Sequence, residues 1–422
     1  MLQSTTTKTT EKILNIALMG CTDSGKSEVA GLFRHFHQNP NRNSYPCPTR
    51  TDRYYPRKYS PYFIATRCSR DYYVSANMAF VSFEKDENSS LLQFIDSGAL
   101  SMYIKNQLGA ISMANVAILI INTHFMMDSH DEYVEELKNQ LIAARVNQVR
   151  EFVVCVNGMD LCNYDENEFK RSIERIEPIF KEIFEKSLTD YQIIPTSIFT
   201  EDNLLCHSQQ LNWYKGPTLY ESLEMISQSM VFEKYSGLRF IIIKEMFISG
   251  VGKIICGKVQ CGQLRKGQTV LLPLNNSSFV TRQVIDLEIN HEKVEQVDSN
   301  TICGVYLGDI PHNLVRTGFI VSDELDQLKP VVSFEAEVVL RAGVKGFRVG
   351  AIPIVSCSLQ HISCRINSIQ EQKKVKIVTM TPIHNILFME NYTEKGGFLG
   401  RFLLRENGKI IGYGKVIHVH FN

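Results

Sequence analysis

The chain has 422 residues, which is too many for one ordinary hydrophobic core and enough for two to four domains. Its 45 basic and 45 acidic residues cancel, so no overall positive field attracts nucleic acid, and we predict no DNA partner. No apolar run approaches the roughly 18 residues of a transmembrane helix, and the amino-terminal segment lacks the apolar core of a signal peptide, so we expect a cytoplasmic protein without a membrane partner.

Apolar strands and amphipathic helices alternate through the first half of the sequence. This alternation predicts an α/β domain over residues 13–230, with a mainly parallel sheet, helices on both faces and ligands at the carboxyl ends of the strands. The predicted strands are Ile13–Met19, Met78–Phe83, Leu91–Ile95, Val116–Ile121, Phe152–Val156 and Tyr191–Pro195, and the predicted helices are Ser27–His37, Asp131–Val146, Asn167–Glu185 and Thr218–Met230.

Residues 38–73 interrupt this alternation with a segment rich in Asn, Pro, Tyr, Arg and Ser. Its composition predicts a long loop. The interleaved Tyr and Arg side chains could stack on RNA bases and neutralise RNA phosphates, or they could be solvated without a partner.

After Gly237 the pattern changes to short β-rich segments separated by Gly, Asn and Asp turns. Regularly spaced short strands with turn signals are typical of barrels. We therefore predict two β-barrel domains, over residues 237–326 and 330–422.

The octapeptide Gly20–Ser27 fits the phosphate-binding pattern G-x-x-x-x-G-K-[ST] between a predicted strand and a predicted helix. Its backbone N–H groups and the helix amino terminus would cradle nucleotide phosphates. Lys26 would reach the outer phosphates, and the Ser27 hydroxyl would hold Mg²⁺. The predicted nucleotide contacts of this loop are Asp23, Ser24, Gly25, Lys26 and Ser27.

Two other predicted strands are followed by polar residues that are suited to bind the base and the metal ion of a nucleotide. Asn157-Gly158-Met159-Asp160 follows the strand Phe152–Val156. The Asp160 carboxylate can accept both N–H groups on the edge of guanine, a donor pair that adenine lacks, and Asn157 would brace the loops. Asp96 follows Leu91–Ile95 and is placed to hold a Mg²⁺-bound water.

These motifs resemble the translational GTPases of the EF-Tu and elongation factor one-alpha family, most closely the eukaryotic release-factor and ribosome-rescue branch. Gly20–Ser27 (GCTDSGKS) is similar to the family's GHVDSGKS. Four later stretches extend the resemblance, which runs in order from about residue 13 to residue 419. They are Ile104–Asn106 with Ser112–Ile120 after switch II, Trp213–Leu219 at the end of the G domain, Leu264–Gln268 in the second domain, and Leu399–Lys409 in the third, where the release-factor branch reads GRFTLRDEGK.

The sequence departs from the family in the segments that sense and hydrolyse the γ-phosphate. Where the family has D-x-P-G-H, this chain has Asp96-Ser97-Gly98-Ala99-Leu100. Ala99 replaces the glycine that senses the γ-phosphate, although a gap of one residue would return Gly98 to that role. Leu100 replaces the histidine that orients the attacking water, and leucine can neither donate nor accept a hydrogen bond.

The resemblance also assigns three further positions. Ser75 is the best match to the Mg²⁺-binding threonine of switch I, so the predicted metal residues are Ser27, Ser75 and Asp96. Ser197 corresponds to a residue that touches guanine. Gly158 stands where the family's N-K-x-D motif has a lysine packed along the base.

The resemblance therefore implies GTP or GDP with Mg²⁺ as cofactors, and the ribosome with a tRNA or a tRNA-shaped protein factor as partners. It suggests a translation factor for elongation, termination or ribosome rescue, with GTP hydrolysis weakened by Leu100. The alternative is a pseudo-GTPase that serves as an adaptor or scaffold and holds nucleotide for structural reasons.

Overall fold

The computed structural model describes residues 13–38, 79–83, 90–96, 104–123, 131–275, 278–290, 292–310, 315–372 and 375–421, with backbone only for residues 35–38, 79–83, 131–132 and 395. The predictions for Ser75, for residues 97–100 and for almost all of the segment 38–73 lie outside these ranges. The chain divides into two compact units, Met1–Val231 and Phe232–Asn422.

The first unit is built on a six-stranded sheet with the order β2-β3-β1-β4-β5-β6. All neighbouring strands are parallel except β2, which is antiparallel to β3. The strands are β1 (Ile13–Met19), β2 (Ala79–Phe83), β3 (Leu91–Asp96), β4 (Val116–Asn122), β5 (Glu151–Asn157) and β6 (Gln192–Thr196). The helices are α1 (Lys26–Gln38), α2 (Ile104–Met113), α3 (Asp131–Val146), α4 (Glu166–Phe184) and α5 (Leu219–Ser229).

Helices cover both faces of this sheet, as the alternation of side chains along β5 illustrates. Val153 and Cys155 point into a core that contains residues of α1 and α5. Phe152 points the other way and meets Phe180 of α4 edge to face, with ring centroids 5.4 Å apart. Because both faces are buried, the strands are continuous apolar runs, which is why the sequence located them.

The second unit is an antiparallel β structure in two regions. The first region has an eight-stranded sheet and a two-stranded ribbon, and the second is a closed six-stranded barrel with the order β17-β20-β19-β18-β21-β22. The first region contains β7 (Arg239–Ile248), β8 (Gly252–Cys261), β9 (Gln263–Arg265), β10 (Thr269–Pro273), β11 (Phe279–Gln283), β12 (Asp286–Ile289), β13 (Glu292–Lys293), β14 (Gln296–Asp298), β15 (Ile302–Tyr306) and β16 (Ile320–Asp323). The barrel contains β17 (Ser333–Leu340), β18 (Ile354–Cys357), β19 (Gln360–Glu371), β20 (Lys376–Pro382), β21 (Arg401–Glu406) and β22 (Lys409–His420).

The predicted fold class is confirmed: a mainly parallel α/β domain is followed by antiparallel β domains that include a barrel. The limits 13–230, 237–326 and 330–422 stay predictions. Within the described ranges, no helix is long and apolar enough to cross a bilayer.

A buried ion pair joins the two regions of the second unit. Arg239 of β7 is only 3% exposed and donates to Glu390, with its Nε 3.0 Å and its Nη2 2.6 Å from Glu390 Oε1. The same guanidinium donates to the backbone oxygen of Asp326 at 3.1 Å. Removing either partner alone would leave an uncompensated buried charge, at a cost of about 3–5 kcal/mol.

Lys258 of β8 is a buried lysine, with 2% of its surface exposed. Burial lowers the pKa of its ammonium from 10.5 to about 7. The unfolded chain therefore binds this proton more tightly than the folded chain does. The resulting cost to stability is full below pH 7 and disappears as the pH rises towards the unfolded pKa.

We expect Lys258→Met to stabilise the protein more at pH 7 than at pH 9, by a difference on the order of 2 kcal/mol. Urea unfolding of the full chain at the two pH values measures this. Lys244→Met, at an exposed lysine of the neighbouring strand β7, is the control. An equal effect of Lys258→Met at both pH values would contradict the account of its burial.

Candidate functional site

The phosphate loop lies where the sequence predicted it, between the end of β1 at Met19 and the start of α1 at Lys26. Gly25 has φ +107, a conformation that other residues rarely adopt. A Cβ at Gly25 would lie 2.5 Å from Ile198 Cδ1 and 3.1 Å from Asn157 Nδ2. Glycine is therefore required both for the backbone conformation and for the close packing of the loop against Ile198 and Asn157.

Lys26 is almost fully buried, and its ammonium is held by the loop itself. Its Nζ donates to the backbone oxygens of Gly20 at 2.8 Å and Cys21 at 2.6 Å. Burial lowers the pKa of Lys26, while the nearby carboxylate of Asp96 acts in the opposite direction. This places a positive charge beneath the phosphate loop.

Ser27 and Asp96, two of the predicted metal residues, lie together at the carboxyl edge of the sheet. Ser27 Oγ donates to Asp96 Oδ2 at 2.7 Å, and Asp96 is completely buried at the end of β3. A hydroxyl beside a carboxylate is an oxygen donor set that suits Mg²⁺. Among the described residues, no cluster of three or more His, Cys, Asp or Glu side chains offers a protein-only metal site.

Asn157 links the phosphate loop to the loop after β6. Its Nδ2 donates to the backbone oxygen of Ser24 at 3.0 Å, and its Oδ1 accepts the N–H of Ile198 at 3.0 Å. Both contacts are buried. The bracing role predicted for Asn157 thus has a geometric basis in hydrogen bonds to two separate loops.

Asp160 and Ser197, the two predicted guanine contacts, also lie together. Ser197 Oγ donates to Asp160 Oδ1 at 2.8 Å, and Ser197 in turn accepts the N–H of Thr200 at 3.3 Å. Asp160 is half-buried in a short 3-10 helix, Met159–Cys162. Asp160 thus lies just after the end of β5 and contacts the segment that follows β6.

Gly158, which replaces the family's lysine, occupies a crowded position. It has φ +91, and a Cβ there would lie 2.9 Å from Thr123 Oγ1. Thr123 Oγ1 itself donates to the Gly158 backbone oxygen at 3.2 Å. Thr123 thus occupies the space that a side chain at position 158 would need.

Helix α3 contacts the start of the phosphate loop through hydrogen bonds that the sequence did not predict. Gln140 Oε1 accepts the N–H of Gly20 at 2.7 Å, and its Nε2 donates to the Gly20 oxygen at 3.1 Å. Cys21 Sγ donates to the Tyr133 oxygen at 3.5 Å. Glu136 of the same helix lies near Cys21, Thr22 and Lys26, and burial raises the pKa of its carboxyl.

One signal could have revealed this contact. Gln140 is a polar residue beside Leu137, Leu141 and Ala144 on the apolar stripe of α3, and it is 1% exposed. A glutamine on a buried helix face must find hydrogen-bond partners, and here the partners are the backbone of Gly20.

Of the remaining predicted contacts, Ser24 is buried and Asp23 is exposed with φ +59. The structure thus brings together Asp23, Ser24, Gly25, Lys26, Ser27 and Asp96 around the phosphate loop, and Asn157, Asp160 and Ser197 beside it. Ser75 and the sequence positions of Ala99 and Leu100 lie beyond the described part of the chain.

The model of the elongation factor Tu GTP binding domain family matches residues 11–231, more than half of the chain. The chain belongs to this family. Elongation factor 1-alpha of Methanothermobacter thermautotrophicus is 27% identical over 306 residues, which cover 72% of this chain and 70% of that protein. Elongation factor 1-alpha of Sulfurisphaera tokodaii is 25% identical over 434 residues, which cover 96% and 97%.

A solved structure with the same fold is the GTPase-like domain of S. cerevisiae Ski7 bound to GTP. It has a TM-score of 0.74 and 16% identity, and the match covers 96% of this chain and 97% of that one. The match to the Ski7 structure shows the same fold, and the family model identifies residues 11–231 as an elongation factor Tu GTP binding domain.

We expect Gln140→Met to weaken GDP binding about tenfold. The change keeps the volume but removes both partners of the Gly20 backbone, which costs about 1–3 kcal/mol if the loop stays in place and loosens the loop otherwise. Titration with a fluorescent GDP analogue measures the affinity.

The matched control is Lys138→Met, on the same helix, where the side chain contacts Glu182 at 3.2 Å. If both variants bound GDP as tightly as the unaltered protein, α3 would have no part in shaping the loop.

Proposed function

We propose that this protein binds GTP and GDP with Mg²⁺ and acts as a cytoplasmic translation factor with weakened GTP hydrolysis. The main support for this proposal is that hydrogen bonds connect the separate parts of the site. Ser27 meets Asp96 at the phosphate end, and Asn157 connects the phosphate loop to the segment that contains Ser197. These contacts bring the proposed phosphate, metal and base residues to one edge of the sheet, which supports a nucleotide site there.

At the base end, Asp160 would select guanine. Its carboxylate can accept two N–H groups from guanine, whereas adenine would leave buried oxygen atoms unpaired. The hydrogen bond from Ser197 fixes one carboxylate oxygen in place. Preorganised acceptors cost less to order on binding than mobile ones, so this contact favours affinity as well as selectivity.

At the phosphate end, Ser27, Asp96 and Ser75 would hold Mg²⁺. The bound ion would neutralise charge on the phosphate oxygens. The 2.7 Å contact between Ser27 and Asp96 supports this assignment for two of the three residues, and Ser75 rests on the sequence alone. Lys26 would supply the protein's own positive charge to the outer phosphates.

Hydrolysis is weakened because Leu100 stands in place of the water-orienting histidine. An aliphatic side chain cannot accept a proton or align a water molecule by hydrogen bonding. Ala99, where the family has the sensing glycine, adds a second change in the same segment. Binding and hydrolysis are thus separated along the chain, with the binding residues retained.

The ribosome, together with a tRNA or a tRNA-shaped protein factor, is the partner that best fits the family. Two relatives named elongation factor 1-alpha support it, one of them over almost the whole chain. The similarity of Leu399–Lys409 to the release-factor branch favours termination or ribosome rescue over elongation. Nucleotide state would then change the affinity for these partners.

The second candidate is a pseudo-GTPase adaptor or scaffold, and Leu100 is the observation that favours it. In that case bound nucleotide would stabilise the fold without timing a step. The two candidates differ in a measurable way, because a factor requires ribosome association that depends on GTP and an adaptor does not.

We expect Asp160→Asn to lower GTP affinity by about tenfold to a hundredfold and to raise the affinity for xanthosine triphosphate. The asparagine amide offers one donor and one acceptor, which match the oxygen and the N–H on the edge of xanthine. Competition against a fluorescent GDP analogue measures both affinities. Asp165→Asn, at an exposed carboxylate that caps α4, is the control. Unchanged selectivity in Asp160→Asn would remove Asp160 from the base site.

We expect single-turnover GTP hydrolysis by the unaltered protein to be slow with or without ribosomes. Leu100→His should raise the ribosome-stimulated rate about tenfold or more by restoring a group that orients water. Leu100→Asn, which adds polarity without the imidazole, is the control.

Fast ribosome-stimulated hydrolysis by the unaltered protein would contradict the weakened-enzyme proposal. Co-sedimentation with ribosomes in GTP and in GDP decides between the two functions. Association that depends on GTP supports a factor, and the same weak association in both nucleotides supports the adaptor.

A further inference from the structure

Three side chains on the carboxy-terminal barrel form a positively charged cluster away from the nucleotide site. Arg401 of β21 and Lys415 of β22 are directly paired across the two strands. Tyr392, in the segment before β21, lies beside both. We call these three residues the Tyr392 cluster. Lys415 is exposed, while Tyr392 and Arg401 are half-buried, so the cluster can be reached from solvent.

Both cations lie close to the tyrosine ring. Arg401 Cζ is 4.8 Å and Lys415 Nζ is 4.6 Å from the ring centroid, distances typical of cation–π contacts. Arg401 Nη2 also donates to Tyr392 Oη at 3.1 Å. This hydrogen bond, together with the charges of Arg401 and Lys415, lowers the pKa of the phenol. The hydroxyl oxygen thus already accepts from a cation, and its own hydrogen is available to another acceptor.

The nearby carboxylates either make other contacts or lie opposite the cluster without forming an ion pair with it. Among the described residues, neither Arg401 nor Lys415 forms a salt bridge. Glu390 is bonded to Arg239, and Glu394 accepts from Asn391 at 2.7 Å. Glu337 is paired with Lys415 across β17 and β22, without an ion-pair contact. Two positive charges therefore converge on one phenol, and no carboxylate of the described residues lies within salt-bridge distance of either.

The backbone fixes Tyr392 in this position. Its N–H donates to the Val416 oxygen at 2.9 Å. The backbone of Tyr392 also packs so tightly against Gly400 that a Cβ at Gly400 would lie 2.5 Å from Tyr392 Cα. These contacts hold Tyr392 in place between the two cations before any anion binds. Because the site is preorganised, binding an anion there costs little conformational entropy.

We propose that the Tyr392 cluster binds a phosphate group. The guanidinium of Arg401 and the ammonium of Lys415 would donate to phosphate oxygens, and the Tyr392 hydroxyl would donate a third hydrogen bond. This chemistry is shared by a free phosphate monoester and by the phosphodiester backbone of RNA.

The test uses the full chain labelled with ¹³C in its tyrosine rings, so that the NMR signal of Tyr392 reports binding at this cluster and not at the phosphate loop. Tyr392→Phe assigns the signal. The probes are inorganic phosphate and a short single-stranded RNA, each titrated separately. We expect the Tyr392 signal to shift and saturate with at least one probe, and Lys415→Gln to weaken that binding about tenfold.

Lys409→Gln is the matched control, because Lys409 is another exposed lysine on β22. Its affinity for the probe should equal that of the unaltered chain. A shift with inorganic phosphate alone assigns the site to phosphate monoesters, and a shift with RNA alone assigns it to the nucleic acid backbone. No shift with either probe, or equal binding in Lys415→Gln and Lys409→Gln, overturns the proposal.

Discussion

The side-chain amide of Asn157 is the contact on which the nucleotide site depends. It donates to the phosphate loop at Ser24 and accepts from the next loop at Ile198, and neither contact is exposed to water. Because one planar group satisfies both loops, neither loop can move alone without leaving a buried polar atom unpaired. Gly25 adds a steric condition, since its missing Cβ lets Asn157 and Ile198 approach. Phosphate recognition and base recognition are thereby parts of one packed structure.

Much of this site could be predicted from the sequence, because its residues directly follow apolar strands. In a parallel sheet all such strand ends lie on one edge, so Asp96, Asn157 and the phosphate loop that follows β1 had to converge. The strand limits were also accurate, as with β4, which was predicted as Val116–Ile121 and extends to Asn122. Continuous apolar runs give this signal because both faces of the sheet are buried.

The contacts that the sequence did not reveal depend on tertiary register. Gln140 reaches Gly20 only because of the rotation of α3 against the sheet, and a helical pattern alone does not define that rotation. Arg239 and Glu390 are 151 positions apart, and each resembles an ordinary surface charge in its local sequence. Lys258 lies in a strand whose alternation gives no sign of a buried amine. In each case the effect of the side chain on stability depends on its burial, which the local sequence does not reveal.

In the proposed function, the residues that match the family motifs bind the nucleotide, and Leu100, which differs from them, belongs to the segment for hydrolysis. Nucleotide binding draws on coupled contacts from Lys26, Ser27, Asn157 and Asp160, so losing one would strain its neighbours. In the proposed function, orientation of the attacking water depends on one side chain, at position 100. A chain can therefore lose hydrolysis in one step while the binding site stays intact. Under the proposed function, Leu100 accounts for slow or absent hydrolysis, and the hydrogen bonds of Asn157 account for a site that still holds nucleotide.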